Sequence, residues 1–167
     1  MKKSWIIGGV VLLAIIVLLS RGGGKQGDTV KIGFIAPMTG DAAALGEQVK
    51  KIVDYRLAEI NSKPVSGQPK FEAVFEDGQC SGSVAVNAFQ KLVDVDGVKF
   101  VSTICSTETL TVAPIASEKK IVQISSISSN PKVEEQGPYT FSLSYSDKKT
   151  TEDIAKAASA YKRVAIL

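Results

Sequence analysis

The chain predicts an α/β fold, a parallel sheet with flanking helices, and three observations carry that prediction. Short apolar segments alternate with stretches of helical periodicity along most of the chain. Segments such as KIGFIA and KFVSTI are apolar on both sides, as strands covered on two faces are. Turn-forming clusters punctuate the pattern: PVSGQP at 64–69, Asp96-Gly97, and SSISSNP at 125–131. Strands separated by helices imply parallel pairing through right-handed crossovers.

The first segment stands apart from this rhythm. Lys2 and Lys3 precede an apolar run from Trp5 to Leu19, the pattern of a signal peptide or an uncleaved signal anchor over residues 1–20. Either places the remainder outside the cytoplasm, in the periplasm or at the cell surface, with membrane contact through this segment if it is retained. Residues 21–28, RGGGKQGD, read as a flexible linker.

The body begins with a predicted strand at 30–36, broken by Pro37. Small and turn-forming residues follow as far as Gly46. A helix over 42–61 comes next, with Val49, Ile52, Val53, Leu57 and Ile60 on its apolar stripe and Lys50, Lys51, Asp54 and Glu59 on its wet face. A second strand is expected at 70–75 and a second helix at 83–93. Strand 100–103 leads into helix 108–118. Strand 122–125 leads into the polar loop at 125–131. The alternating YTFSLSY at 139–145 is a further strand or an extended crossover. A helix over 150–161 precedes a last strand at 164–167. The chain stops inside that strand pattern, the expectation for a truncated product.

Composition excludes several kinds of chemistry. There are 20 basic and 17 acidic residues, but Lys2, Lys3 and Arg21 account for the entire excess. The basic character therefore belongs to the leader, and no nucleic-acid surface is expected. The chain has no histidine, which removes Ser-His and Cys-His nucleophiles and histidine metal sites. Two cysteines are too few for a structural zinc site or an iron–sulfur cluster. No Gly-rich, Lys-ending phosphate loop is present, and no nucleophile elbow. No metal or cofactor is expected, and an enzyme is disfavoured.

What remains is a ligand edge. Loops at the carboxyl end of a parallel sheet present backbone N–H groups and side chains towards small ligands. Thr39 follows the first strand; Ser106 and Thr107 follow the third, where either can cap the next helix and Glu108 sits in its first turn. Ser128 and Ser129 follow the fourth. Capping and turn chemistry alone explain any one of these clusters, whereas three together suit a carboxylate or another small anion. Glu76-Asp77 reads as a solvated pair rather than an acid–base pair. Cys80 and Cys105 both follow strands; in an exported chain they invite a disulfide, the alternative being two separate buried thiols.

Taken in order, APMTGDAAALGEQ, a helix ending AEIN, FEDGQC, ICST and ISSISSNP resemble the periplasmic leucine/isoleucine/valine-binding protein family, the type I substrate-binding proteins of ABC transporters. The resemblance implies a type I periplasmic binding protein lobe over 29–148 and the start of a second lobe over 149–167. It implies a disulfide between Cys80 and Cys105. It implies that Ser106 and Ser129, with the backbone at Ile127 and Ser128, hold the carboxylate and ammonium groups of an amino acid, branched-chain ones included, or of a similar small ligand. Leu45 stands where the family often has an aromatic residue lining the pocket, and Ile127 is bulkier than usual. The implied partner is a membrane permease; the alternative function is a membrane-tethered ligand-sensing ectodomain.

Overall fold

The computed structural model describes residues 29–165. The leader at 1–20, the linker at 21–28 and the end of the expected last strand lie outside the described residues. Among the described residues no helix is long and apolar enough to cross a membrane.

Five strands form one parallel sheet: β1 (Val30–Ala36), β2 (Phe71–Asp77), β3 (Phe100–Thr103), β4 (Val122–Ser125) and β5 (Thr140–Ser142). Their order is β2-β1-β3-β4-β5. Four helices connect or follow them: α1 (Ala43–Ser62), α2 (Gly82–Gln90), α3 (Ser106–Lys119) and α4 (Asp147–Ala158). A π-helical turn, Lys91–Val95, extends α2, and a 3₁₀ turn, Pro131–Glu135, precedes β5.

The strand order turns around between β1 and β3. The chain leaves β1 towards β2 on one side, then crosses back to β3 on the other. With right-handed crossovers, α1 must lie on one face of the sheet and α2 and α3 on the opposite face. Packing agrees. Gly33 meets Leu92 and Val98 on the α2 side, and Ile35 joins Ala85, Phe89, Leu92, Val101, Val112 and Ala116 in the buried core. Phe34 and Phe75 point the other way and stack at 5.0 Å, with the Lys50 ammonium of α1 4.9 Å above the Phe75 ring.

The expected elements need four adjustments. YTFSLSY does supply a strand, β5, and it pairs in parallel at the sheet edge beside β4. Val164 and Ala165, expected to open a last strand, have no strand structure. Ile52 is 63% exposed, so the apolar stripe of α1 is narrower than its periodicity implies. The helix after β3 starts at Ser106 with Cys105 as its N-cap residue, so neither Ser106 nor Thr107 caps it. The expected boundary after residue 148 falls inside the first turn of α4, a helix with no buried residue.

Candidate functional site

In an open parallel sheet, ligands bind outside the carboxyl ends of the strands where the strand order reverses. Here that point lies between the loops after β1 and β3, with the loop after β4 next in line. Register keeps the three strand ends level: Ile35 pairs with Thr103, and Thr103 with Ser125.

The β1 loop is built by two contacts. Gly46, in the first turn of α1, packs so closely on the loop that a Cβ there would lie 2.1 Å from the Pro37 carbonyl oxygen. Asp77, at the end of β2, then gathers the loop. Its carboxylate accepts the N–H groups of Met38 (2.9 Å), Thr39 (3.3 Å) and Gln79 (3.1 Å), and the Thr39 hydroxyl at 2.5 Å. Burial pushes the Asp77 carboxyl up, but the hydrogen bonds from Thr39, Gln79 and Met38 outweigh it and hold the group below its ordinary value. Thr39 is thus committed to the loop rather than offered to a ligand. The solvated reading of Asp77 is corrected accordingly; Glu76 next to it pairs with Lys91.

The β3 loop and α3 carry the central group. The first intrahelical bond of α3 runs from the Thr109 N–H to the Cys105 carbonyl at 3.0 Å. The Ser106 and Thr107 N–H groups precede it and have no helical partner. The Ser106 hydroxyl lies 2.7 Å from that of Ser128, on the β4 loop. Ser128 is buried and Ser106 half-buried. Two hydroxyls from adjacent loops therefore meet beside the positive end of a 14-residue helix.

The remaining predicted residues are placed less centrally. Thr107 donates its hydroxyl to the Cys80 carbonyl at 2.5 Å, which turns it towards the β2 loop. Ser129 is half-buried, and its carbonyl accepts the Asp147 N–H at 2.8 Å, tying the start of α4 to the β4 loop. Ile127 is 50% exposed at the tip of that loop. Leu45 is half-buried at the entry to α1, on the neighbouring loop; its N–H donates to the Ala42 carbonyl at 2.9 Å. Cys80 and Cys105 are joined in a disulfide with a Cα–Cα separation of 5.2 Å, bridging the β2 and β3 loops.

Beneath the hydroxyls lies a buried polar layer that periodicity did not reveal. The Gln123 amide donates to the Thr103 hydroxyl (3.2 Å) and the Thr109 carbonyl (3.1 Å), and its oxygen accepts from Thr140 at 3.1 Å. This stitches β3, β4, β5 and α3 together under the loops. The alternation of polar Gln123 and Ser125 within a short apolar strand was the available signal.

Residues 29–167 match the family model described as periplasmic binding protein. The chain belongs to the periplasmic binding protein family. A curated relative, Leu/Ile/Val-binding protein homolog 2 of Brucella abortus (strain 2308), is 32% identical over 132 residues, covering 78% of this chain and 34% of its own length. Among solved structures, the leucine binding protein of Thermotoga maritima MSB8 is 30% identical with a TM-score of 0.65, over 80% of this chain and 37% of that one. A solute binding protein of an ABC transporter from Rhodopseudomonas palustris BisB5, solved with 3,4-dihydroxybenzoic acid, is 25% identical with a TM-score of 0.70, over 80% of this chain and 36% of that one. The chain spans about a third of the length of these periplasmic binding proteins. Its parallel sheet is a type I lobe of that family, as the resemblance implied.

Proposed function

We propose that the protein is the ligand-gripping lobe of an extracytoplasmic solute-binding protein that serves an ABC transporter and takes an amino acid or a similar small carboxylate. The observation that carries this reading is the Ser106–Ser128 hydroxyl pair, 2.7 Å apart at the start of α3. Two hydroxyls and the adjacent free N–H groups form a set of donors for one carboxylate, in a field that favours negative charge. No bond is made or broken. The ligand is held, and the ligand-bound form is what a permease would recognise.

The carboxylate is the common feature of the ligands named for the relatives: leucine for the Thermotoga protein, dihydroxybenzoate for the Rhodopseudomonas one. The region beyond the carboxylate is where these ligands differ. In this chain Leu45, at the entry to α1, and the exposed Ile127, on the β4 loop, are apolar side chains at the same sheet edge, and both suit an apolar ligand body.

Isothermal titration of the purified protein with a panel of L-amino acids and hydroxybenzoates tests the proposal. Binding of at least one carboxylate, with no binding of the matching carboxamide, is the expected result. Silence across the entire panel would remove the small-carboxylate reading.

A further inference from the structure

Glu108 is 0% exposed, and none of the charged groups of the described residues forms an ion pair with it. Its carboxylate has three backbone partners instead. One oxygen accepts the Cys80 N–H at 3.1 Å, and the other accepts the N–H groups of Cys105 (2.9 Å) and Ile104 (3.3 Å). The backbone is shaped around it. A Cβ on Gly78 would lie 2.1 Å from a Glu108 carboxylate oxygen, and Gln79 and Cys80 follow with φ of 52° and 50°. Left-handed backbone at two successive non-glycine residues is costly and persists only where the surroundings fix it.

The three N–H groups belong to the two loops that the Cys80–Cys105 disulfide also joins. One of them is the residue directly before Ser106. A buried carboxylate is an expensive way to make a purely local cap. It is apt where one acceptor must hold the N–H groups of two loops in one position.

We infer that Glu108 is a positioning residue that holds the β2 and β3 loops in register, and so sets the Ser106 donors, independently of the disulfide. This rests on the proposed function for its ligand readout, but not for its structural one. The disulfide then limits the unfolded chain, while Glu108 orders the native loops. The two links are separable by experiment.

The test compares wild type, wild type reduced with dithiothreitol, and Glu108→Gln with the disulfide intact. Amide hydrogen exchange of Cys80, Ile104 and Cys105 is read in each, with circular dichroism as a check on folding. The inference predicts that reduction leaves these three amides protected, whereas E108Q loses their protection while keeping the fold. For any carboxylate that wild type binds, reduction changes the affinity little and E108Q weakens it about tenfold, the scale of one hydrogen bond. Loss of protection on reduction of wild type overturns the inference even if E108Q fails to fold. Wild-type protection and affinity in E108Q overturn it equally. Absence of any ligand would count against the proposed function alone, because the exchange readout still decides the role of Glu108.

Discussion

Asp77 and Glu108 are two carboxyl groups at one sheet edge with opposite electrostatic settings. Donors from Thr39, Gln79 and Met38 hold the folded-state pKa of Asp77 below its ordinary value. Its contribution to stability is therefore complete above the pKa of an unfolded aspartate, about 3.9, and is lost as pH falls through the depressed folded value. Glu108 goes the other way. Burial raises its pKa against the opposing bonds from the Cys105, Ile104 and Cys80 N–H groups. Its contribution is complete below the pKa of an unfolded glutamate, about 4.3, and is lost as pH rises through the raised folded value. Urea unfolding of wild type and Asp77→Asn across the acid range will show a stability gap that closes as pH falls. For Glu108→Gln, the advantage of wild type shrinks as pH rises from the acid limit. A pH-independent gap in both variants would contradict these assignments. Neither group was legible as a loop organiser in the sequence. Glu76-Asp77 has the look of any acidic strand end, and Glu108 that of a first-turn dipole partner. Their roles depend on which backbone N–H groups the fold brings to them.

At the level of elements, the loops after β1 and β2 are fixed by close backbone approach. Gly46 lets α1 start against the Pro37 carbonyl, and Gly78 lets the β2 loop pass over Glu108. Gly46→Ala must displace backbone rather than a flexible side chain, and is expected to cost about 1–3 kcal/mol, the usual range for overpacking. Chemical denaturation measures this; an unchanged midpoint would contradict a close approach of Gly46 to the Pro37 carbonyl. Most elements were readable from periodicity and punctuation. β1, β3 and β4 fall on the predicted residues, and the helices deviate mainly at their ends. Helix starts were harder to read, because the residues that resemble caps, Ser106 and Thr107, turn their hydroxyls to Ser128 and to the Cys80 carbonyl. The serine loops were legible as a set because successive parallel strands must deliver their following loops to one edge. Which hydroxyls meet was not legible, since that depends on loop conformation rather than spacing.

The whole molecule is covered unequally. α2 and α3 pack on one face of the sheet, while on the other α1 lies over the β1–β2 half. Register places Phe100, Val122, Ile124 and Phe141 on that second face, with Phe100 43% and Phe141 53% exposed. Parallel sheets are normally buried on both faces, and contiguous exposed apolar surface promotes association. The purified 167-residue chain is expected to self-associate as its concentration rises, and Phe141→Asp to reduce this. Sedimentation velocity over a concentration series decides the matter; a strictly monomeric chain would show that the face is harmless as it stands.

The central claim is that one carboxylate is gripped at the start of α3 by Ser106 and its neighbours. Titration calorimetry of wild type and Ser106→Ala, each with a bound carboxylate from the panel and with its carboxamide, tests this most directly. The account predicts that the carboxamide fails to bind, and that Ser106→Ala weakens the carboxylate by about 1–3 kcal/mol, the scale of a hydrogen bond to a charged group. Equal binding of acid and amide, or an unchanged affinity in Ser106→Ala, would contradict it.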